Sequence, residues 1–200
     1  MQISNEALDF LRGEIQKHIS GKRLYHTYAV EKEIARLGEI FGFNKKGILK
    51  LRASALLHDI TKEIPIEKQI EFCKERGIRI TNDDVKSPKL FHSLTGAYLA
   101  RELYPQIVDR TVFNAVRFHT TGRPGMTLFE KLLYLADYIE ETRTFDDCVT
   151  LRKYFYGTEK FTDEHLNKTL LLSYDMTIRN LMDEGKFIHP STVSARNSLI

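Results

Sequence analysis

Apolar positions recur along this chain at the spacing of helices rather than strands. Leu8, Leu11 and Ile15 begin one amphipathic stripe, which ends near Gly21. Val30, Ile34, Leu37 and Phe41 form a second, and the chain breaks at Gly42. Asn44 is placed to cap a third helix through Ile48, Leu51 and Ala55 into His58-Asp59. Pro65 opens a short fourth through Ile70 and Phe72 toward Gly77. The stretch GIRITNDDVKSP is polar and turn-rich, and reads as a connecting loop. Ser87-Pro88 has the form of an N-cap followed by proline at the first helical position, starting a helix through Leu94 to Leu103. Pro105 is expected to start the next, with Val108, Val112 and Ala115 on one face. After the turn TTGRPGM, Thr127 and Glu130 have capping-box spacing ahead of TLFEKLLYLADYIEE. A last long helix is expected from Thr162 to about Glu184, closed by Gly185. With no alternating strand pattern, repeat or linker, the predicted architecture is all-α, a single domain over residues 1–200, with 187–200 as a loop-like tail.

Several polar residues interrupt these stripes on their apolar side. One turn back from Val30 lies His26, and one turn past Ala55 lie His58 and Asp59. The Val112–Ala115 stripe runs on to His119, Asp137 sits four beyond Leu133, and His92 shares a face with Gly96, Leu99 and Leu103. Singly, each has an ordinary structural explanation, a hydrogen-bonded core histidine or a carboxylate that caps a helix. Together they do not, because burying several ionisable groups unpaired is costly. A cation satisfies all of them, taking imidazole nitrogen and carboxylate oxygen from facing helices. The nitrogen and oxygen donor set fits iron, manganese or zinc.

Composition narrows the setting. The 200 residues are 42% hydrophobic and 28% charged with a net charge of +3, as in a soluble globular domain. The N-terminal residues lack the apolar core of a signal peptide and the length of a membrane span, so a cytoplasmic protein with no membrane partner is expected. Lys and Arg are spread rather than clustered, which argues against nucleic acid and leaves room for a pocket that binds a small polyanion. Cys73 and Cys148 fit neither a zinc-thiolate spacing nor a disulfide framework, and read as reduced bystanders. His18 and His165 lie off the stripes and are expected at the surface. A homodimer is left open.

The order His26, His58-Asp59, Asp137 resembles the signature of HD-domain metal-dependent phosphohydrolases. The blocks YHT (25–27), HDITK (58–62), HSLTGAYLA (92–100) and FHTTGRPGMTLFEKLLYLADYIE (118–140), with Arg143, resemble more narrowly the bacterial YqeK family. These are HD-type hydrolases that split diadenosine tetraphosphate symmetrically into two ADP. The chain departs from that family at Glu141-Thr142, where a proline is frequent.

The resemblance implies an HD-domain helical bundle with its metal site in the core, and hydrolysis by a metal-activated water. His26, His58, Asp59 and Asp137 would hold the metal, with iron implied and manganese, cobalt or zinc as alternatives. Asp59 would also orient the nucleophile. His92 and His119 would either ligate a second metal or contact phosphate, the second role being preferred. Lys62, Arg23 and Arg143, close in sequence to the ligands, are the candidate cations for phosphate charge, and Thr120 and His26 would also face the substrate. The tail residues His189, Pro190, Ser191, Thr192, Val193 and Ser194 would help form a nucleoside pocket. Two rivals remain: another HD nucleotidase or triphosphohydrolase, and a non-catalytic module that binds metal or nucleotide.

Overall fold

In the computed structural model, which describes residues 3–200, the chain is helical from end to end with no strand among the described residues. The helices are α1 (Asn5–Ile15), α2 (Gly21–Ile40), α3 (Lys45–Leu57), α4 (Ile66–Glu75), α5 (Asn82–Lys86), α6 (Phe91–Leu103), α7 (Arg110–Phe118), α8 (Leu128–Ile139), α9 (Asp146–Tyr156), α10 (Asp163–Asp183) and α11 (Pro190–Asn197). Short polar side chains start most of them. Asn44 accepts the Gly47 N–H at 2.9 Å to open α3, and Thr127 and Glu130 form a reciprocal capping box at α8.

α2 packs along α3 and α8, α7 packs on α3, α6 and α8, and α1 covers α3. Their apolar stripes make one continuous core that includes Val30, Ile34, Leu51, Leu56, Val112, Leu132 and Leu135. α9, α10 and α11 form a second layer over α8. A smaller cluster of Cys73, Ile78, Phe91 and Leu94 lies under α4. No described helix is long and apolar enough to cross a membrane.

Several features differ from the sequence reading. Pro105 does not start a helix: Ile107 and Val108 N–H bond back to the Tyr104 carbonyl in a turn, and Asp109 caps α7 by accepting from Thr111 and Val112. Val108 is therefore core but not helical. Ser87 makes no side-chain cap, and a short 3-10 turn, Pro88–Leu90, leads into α6. The supposed loop 77–88 contains α5, because Thr81 and Asp84 cap it reciprocally. The tail is a helix, not a loop: His189 accepts the Ser191 N–H, and Pro190 takes the first helical position, where its missing N–H costs nothing. The apolar pattern does not mark α9, of which only Cys148, Leu151 and Phe155 are buried. His165 is half-buried rather than exposed; it stacks on Phe155 and pairs with the Phe155 carbonyl at 2.9 Å. His18 is half-buried too.

One ionic contact ties three helices together. Glu31 of α2 is buried and accepts from Arg12 of α1 and from Arg52 of α3, each Nε at 3.0 Å. Glu31→Ala leaves two guanidinium groups facing each other, so urea unfolding is expected to show a loss of roughly 2 kcal/mol, with metal binding retained.

Candidate metal centre and active site

Two of the site histidines owe their aim to helix ends. His58 is the C-cap of α3 and His119 the C-cap of α7, where backbone carbonyls lack helical partners. His58 Nδ1 donates to the Ala55 carbonyl at 2.6 Å, and His119 Nδ1 to the Val116 carbonyl at 2.7 Å. His92, in the first turn of α6, donates from Nδ1 to the Lys89 carbonyl at 2.9 Å. With Nδ1 carrying the hydrogen, each ring turns an Nε2 lone pair toward the protein interior.

His26 reaches the same space from the second turn of α2, and Asp137 from the last turn of α8. His26 Nε2 lies 3.0 Å from Asp137 Oδ1 and 3.9 Å from Asp59 Oδ2. His58 Nε2 lies 3.4 Å from Asp59 Oδ2 and 3.8 Å from Asp137 Oδ1. A second grouping shares Asp59 through its other oxygen: His92 Nε2 is 3.2 Å and His119 Nε2 3.8 Å from Asp59 Oδ1. His92 and His119 Nε2 are themselves 3.2 Å apart. All six residues named from the stripes therefore meet at one place.

The donor chemistry fits a divalent cation. The Nε2 atoms of His26 and His58 are buried and accept no hydrogen bond, the state of a metal-ligand nitrogen rather than of a structural histidine. His26, His58 and Asp59, and likewise Asp59, His92 and His119, bring one ligand atom each within 4.8 Å of the others.

Electrostatics sharpen the picture. Burial opposes charge on His26, but Asp137 and Glu140 outweigh it and hold its pKa up to about 9, so a cation binding Nε2 would displace a proton from the ring. Burial drives His119 down to about 3 and lowers His92, so both stay neutral. Burial would raise Asp59 and Asp137, yet neighbouring His58 and Arg143 keep both well below the usual carboxylate range. Arg23 donates to Asp59 Oδ2 at 2.7 Å, and Arg143 to Asp137 Oδ1 at 2.7 Å. Lys62 Nζ sits 3.2 Å from the His92 ring, with its pKa lowered by burial.

The sequence reading missed Glu140. It is fully buried, and its Oε1 accepts from His26 Nδ1 at 3.0 Å while Thr142 holds it through N–H (2.5 Å) and Oγ1 (2.7 Å). No apolar stripe points to it, because it follows the last turn of α8. Arg152 of α9 then ties down this corner, donating to the carbonyls of Ile139, Glu140 and Arg143.

A cavity of about 530 Å³ opens beside the cluster, lined by His119, Thr120, Asp137 and Arg143, and farther out by Tyr138, Phe145 and Asn180. Tail residues His189, Pro190, Ser191, Thr192, Val193 and Ser194 are not among its lining. His189 instead approaches Asp84 of α5 at 3.6 Å, and Thr192 is buried. The tail packs against the loop that follows His119, at Gly122. That residue has φ +63°, and a Cβ on it would lie 1.8 Å from the Tyr174 hydroxyl and 3.1 Å from Ala195 of α11. Gly122→Ala must displace the loop that follows His119, so calorimetry is expected to show a loss of about 2 kcal/mol or more, with turnover falling alongside.

Residues 23–142 match the family described as HD domain. The chain belongs to that family, and its helical fold and His/Asp cluster make it a metal-dependent phosphohydrolase. It is 33% identical over 98% of its length, and 96% of the relative's, to the symmetrical bis(5'-nucleosyl)-tetraphosphatase of Bacillus subtilis (strain 168). The like-named protein of Halalkalibacterium halodurans is 32% identical over 93% of each chain. A crystal structure titled as a predicted HD superfamily hydrolase involved in NAD metabolism, from Clostridium acetobutylicum, superposes with a TM-score of 0.83 at 38% identity, covering 96% of this chain and 95% of that one. Within the HD-domain proteins, its family is that of the symmetrical bis(5'-nucleosyl)-tetraphosphatases.

Proposed function

We propose that this protein hydrolyses diadenosine tetraphosphate between its two central phosphates and releases two ADP, with iron as the working metal. One observation carries the reading: four donor atoms of His26, His58, Asp59 and Asp137, drawn from α2, α8 and the end of α3, converge at the edge of an open cavity. Relatives named for this reaction match nearly the whole chain, so the tetraphosphate is the substrate to test first.

His26, His58, Asp59 and Asp137 would hold the first cation. His92 and His119, neutral and facing Asp59 Oδ1, suit a second ligand set better than they suit proton donation to phosphate. A divalent cation here would supply Lewis acidity, lowering the pKa of water and polarising a phosphoryl oxygen. The protein's own groups do the rest. Asp59 lies between the two ligand sets and is placed to orient the attacking water. Arg23, Arg143 and Lys62 lie against the cluster, their positive charge available to the phosphate chain. Water adds to one central phosphorus, the bridging P–O bond breaks, and ADP departs with that oxygen. The cavity favours catalysis over a purely structural metal, which would have a closed shell.

Product analysis tests this. Protein reconstituted with Fe²⁺ is expected to convert the tetraphosphate into two ADP and nothing else. AMP with ATP, or turnover confined to mononucleotides, would move the chain to another HD activity.

A further inference from the structure

Two hollows reach the cluster. The larger one, already described, reaches it through His119, Asp137 and Arg143. A second cavity, of about 390 Å³, reaches it through His92 and Lys62, and is walled by Ile64, Ile66, Pro88 and Lys89. The two therefore meet at the histidine pair whose Nε2 atoms are 3.2 Å apart, with Asp59 Oδ1 3.2 Å from the nearer ring. Two other hollows among the described residues, at Lys45–Leu49 and at Arg123–Ile200, include no cluster residue.

We infer that the Ile64–Ile66–Pro88–Lys89 hollow is a second nucleoside subsite, so that a dinucleoside polyphosphate lies across the cluster with one nucleoside in each cavity. The inference rests on the phosphohydrolase reading above. Its chemistry suits the end of such a ligand. Ile64 and Ile66 are half-buried apolar side chains that offer a face to a base, and Pro88 adds a rigid ring. Lys62 and Lys89 flank the way in from the cluster, where the phosphate chain would enter. Gln69, buried at the base, is already committed to the Ile64 carbonyl and to Thr95, so it braces the wall rather than reading the ligand. The larger hollow offers a different surface, with Tyr138 and an exposed Phe145 for stacking and Asn180 beside them.

This arrangement gives symmetrical cleavage a physical cause. A ligand held at both ends is centred on the cluster, and its middle phosphates are the ones presented to the reacting groups. A mononucleoside tetraphosphate fills only one hollow and is free to slide.

The test compares two substrates on one variant. Ile64→Ala with Ile66→Ala removes the apolar wall without touching any cluster residue. KM for diadenosine tetraphosphate is expected to rise about tenfold, while KM for adenosine 5'-tetraphosphate changes less than twofold. Hydrolysis of the second substrate shows that the variant is folded and loaded with metal. Should that substrate be lost too, the single change Ile66→Ala, at a half-buried apolar position, is measured in the same way and must show the same preference for hurting the dinucleotide. An equal effect on both substrates, or no effect on either, overturns the subsite. Wild-type protein that fails to cleave the dinucleotide at all would instead remove the proposed function, so the two failures are distinguishable.

Discussion

Asp59→Ala is expected to abolish hydrolysis, with a fall of roughly a thousandfold or more, while the helical circular dichroism spectrum stays that of the parent. Asp59 serves both halves of the cluster: Oδ2 faces His58 and His26, and Oδ1 faces His92 and His119. Removing its carboxylate takes a ligand from each set and leaves Arg23 without its partner. The fold should survive, because Asp59 follows α3 rather than bracing it, and the core beneath it is formed by Leu51, Leu56 and Leu57. His58→Ala should behave similarly on the first set alone. Wild-type-like turnover by a folded Asp59→Ala protein would remove this residue from the chemistry.

Glu140→Ala should produce the next largest effect, and it separates positioning from catalysis. Glu140 lies behind His26 and accepts its Nδ1 hydrogen, which leaves Nε2 as the free lone pair. Of the four cluster histidines, His26 is the one held by a carboxylate; His58, His92 and His119 lean on backbone carbonyls. Losing such a support commonly costs 10- to 100-fold in metal affinity, so about that weakening is expected in a competition titration with a metal chelator. Glu140→Gln keeps the shape and an accepting oxygen and should recover part of the affinity. At saturating metal, kcat should return much closer to the parent value than it does for Asp59→Ala. A variant that binds metal as tightly as the parent would leave Glu140 with a purely structural role at the end of α8.

The sequence pattern located all six cluster residues, for a physical reason. Each sits on a helix stripe or one or two residues past its end, so helical spacing alone aims it inward. Where local rules compete, the pattern was less informative. Pro105 and Asp109 both offer a helix start, and the carboxylate cap won. The tail's hydroxyl-rich composition hid α11, although Pro190 at its first position was the available signal. Glu140 lies outside any periodic stripe, and its role depends on the fold bringing α2 against the end of α8. The walls of both cavities are likewise products of tertiary packing, with Tyr138 from α8, Phe145 from the start of α9 and Asn180 from α10 meeting around one space.

The convergence of His26, His58, Asp59 and Asp137 on a cation can be observed directly. Crystals of protein loaded with Fe²⁺ under anaerobic conditions, measured at the iron absorption edge, should show an anomalous difference peak about 2.0–2.3 Å from the two Nε2 atoms and from an oxygen of each aspartate. A peak coordinated by other side chains, or none in crystals whose protein has been shown to carry the metal, would contradict the account.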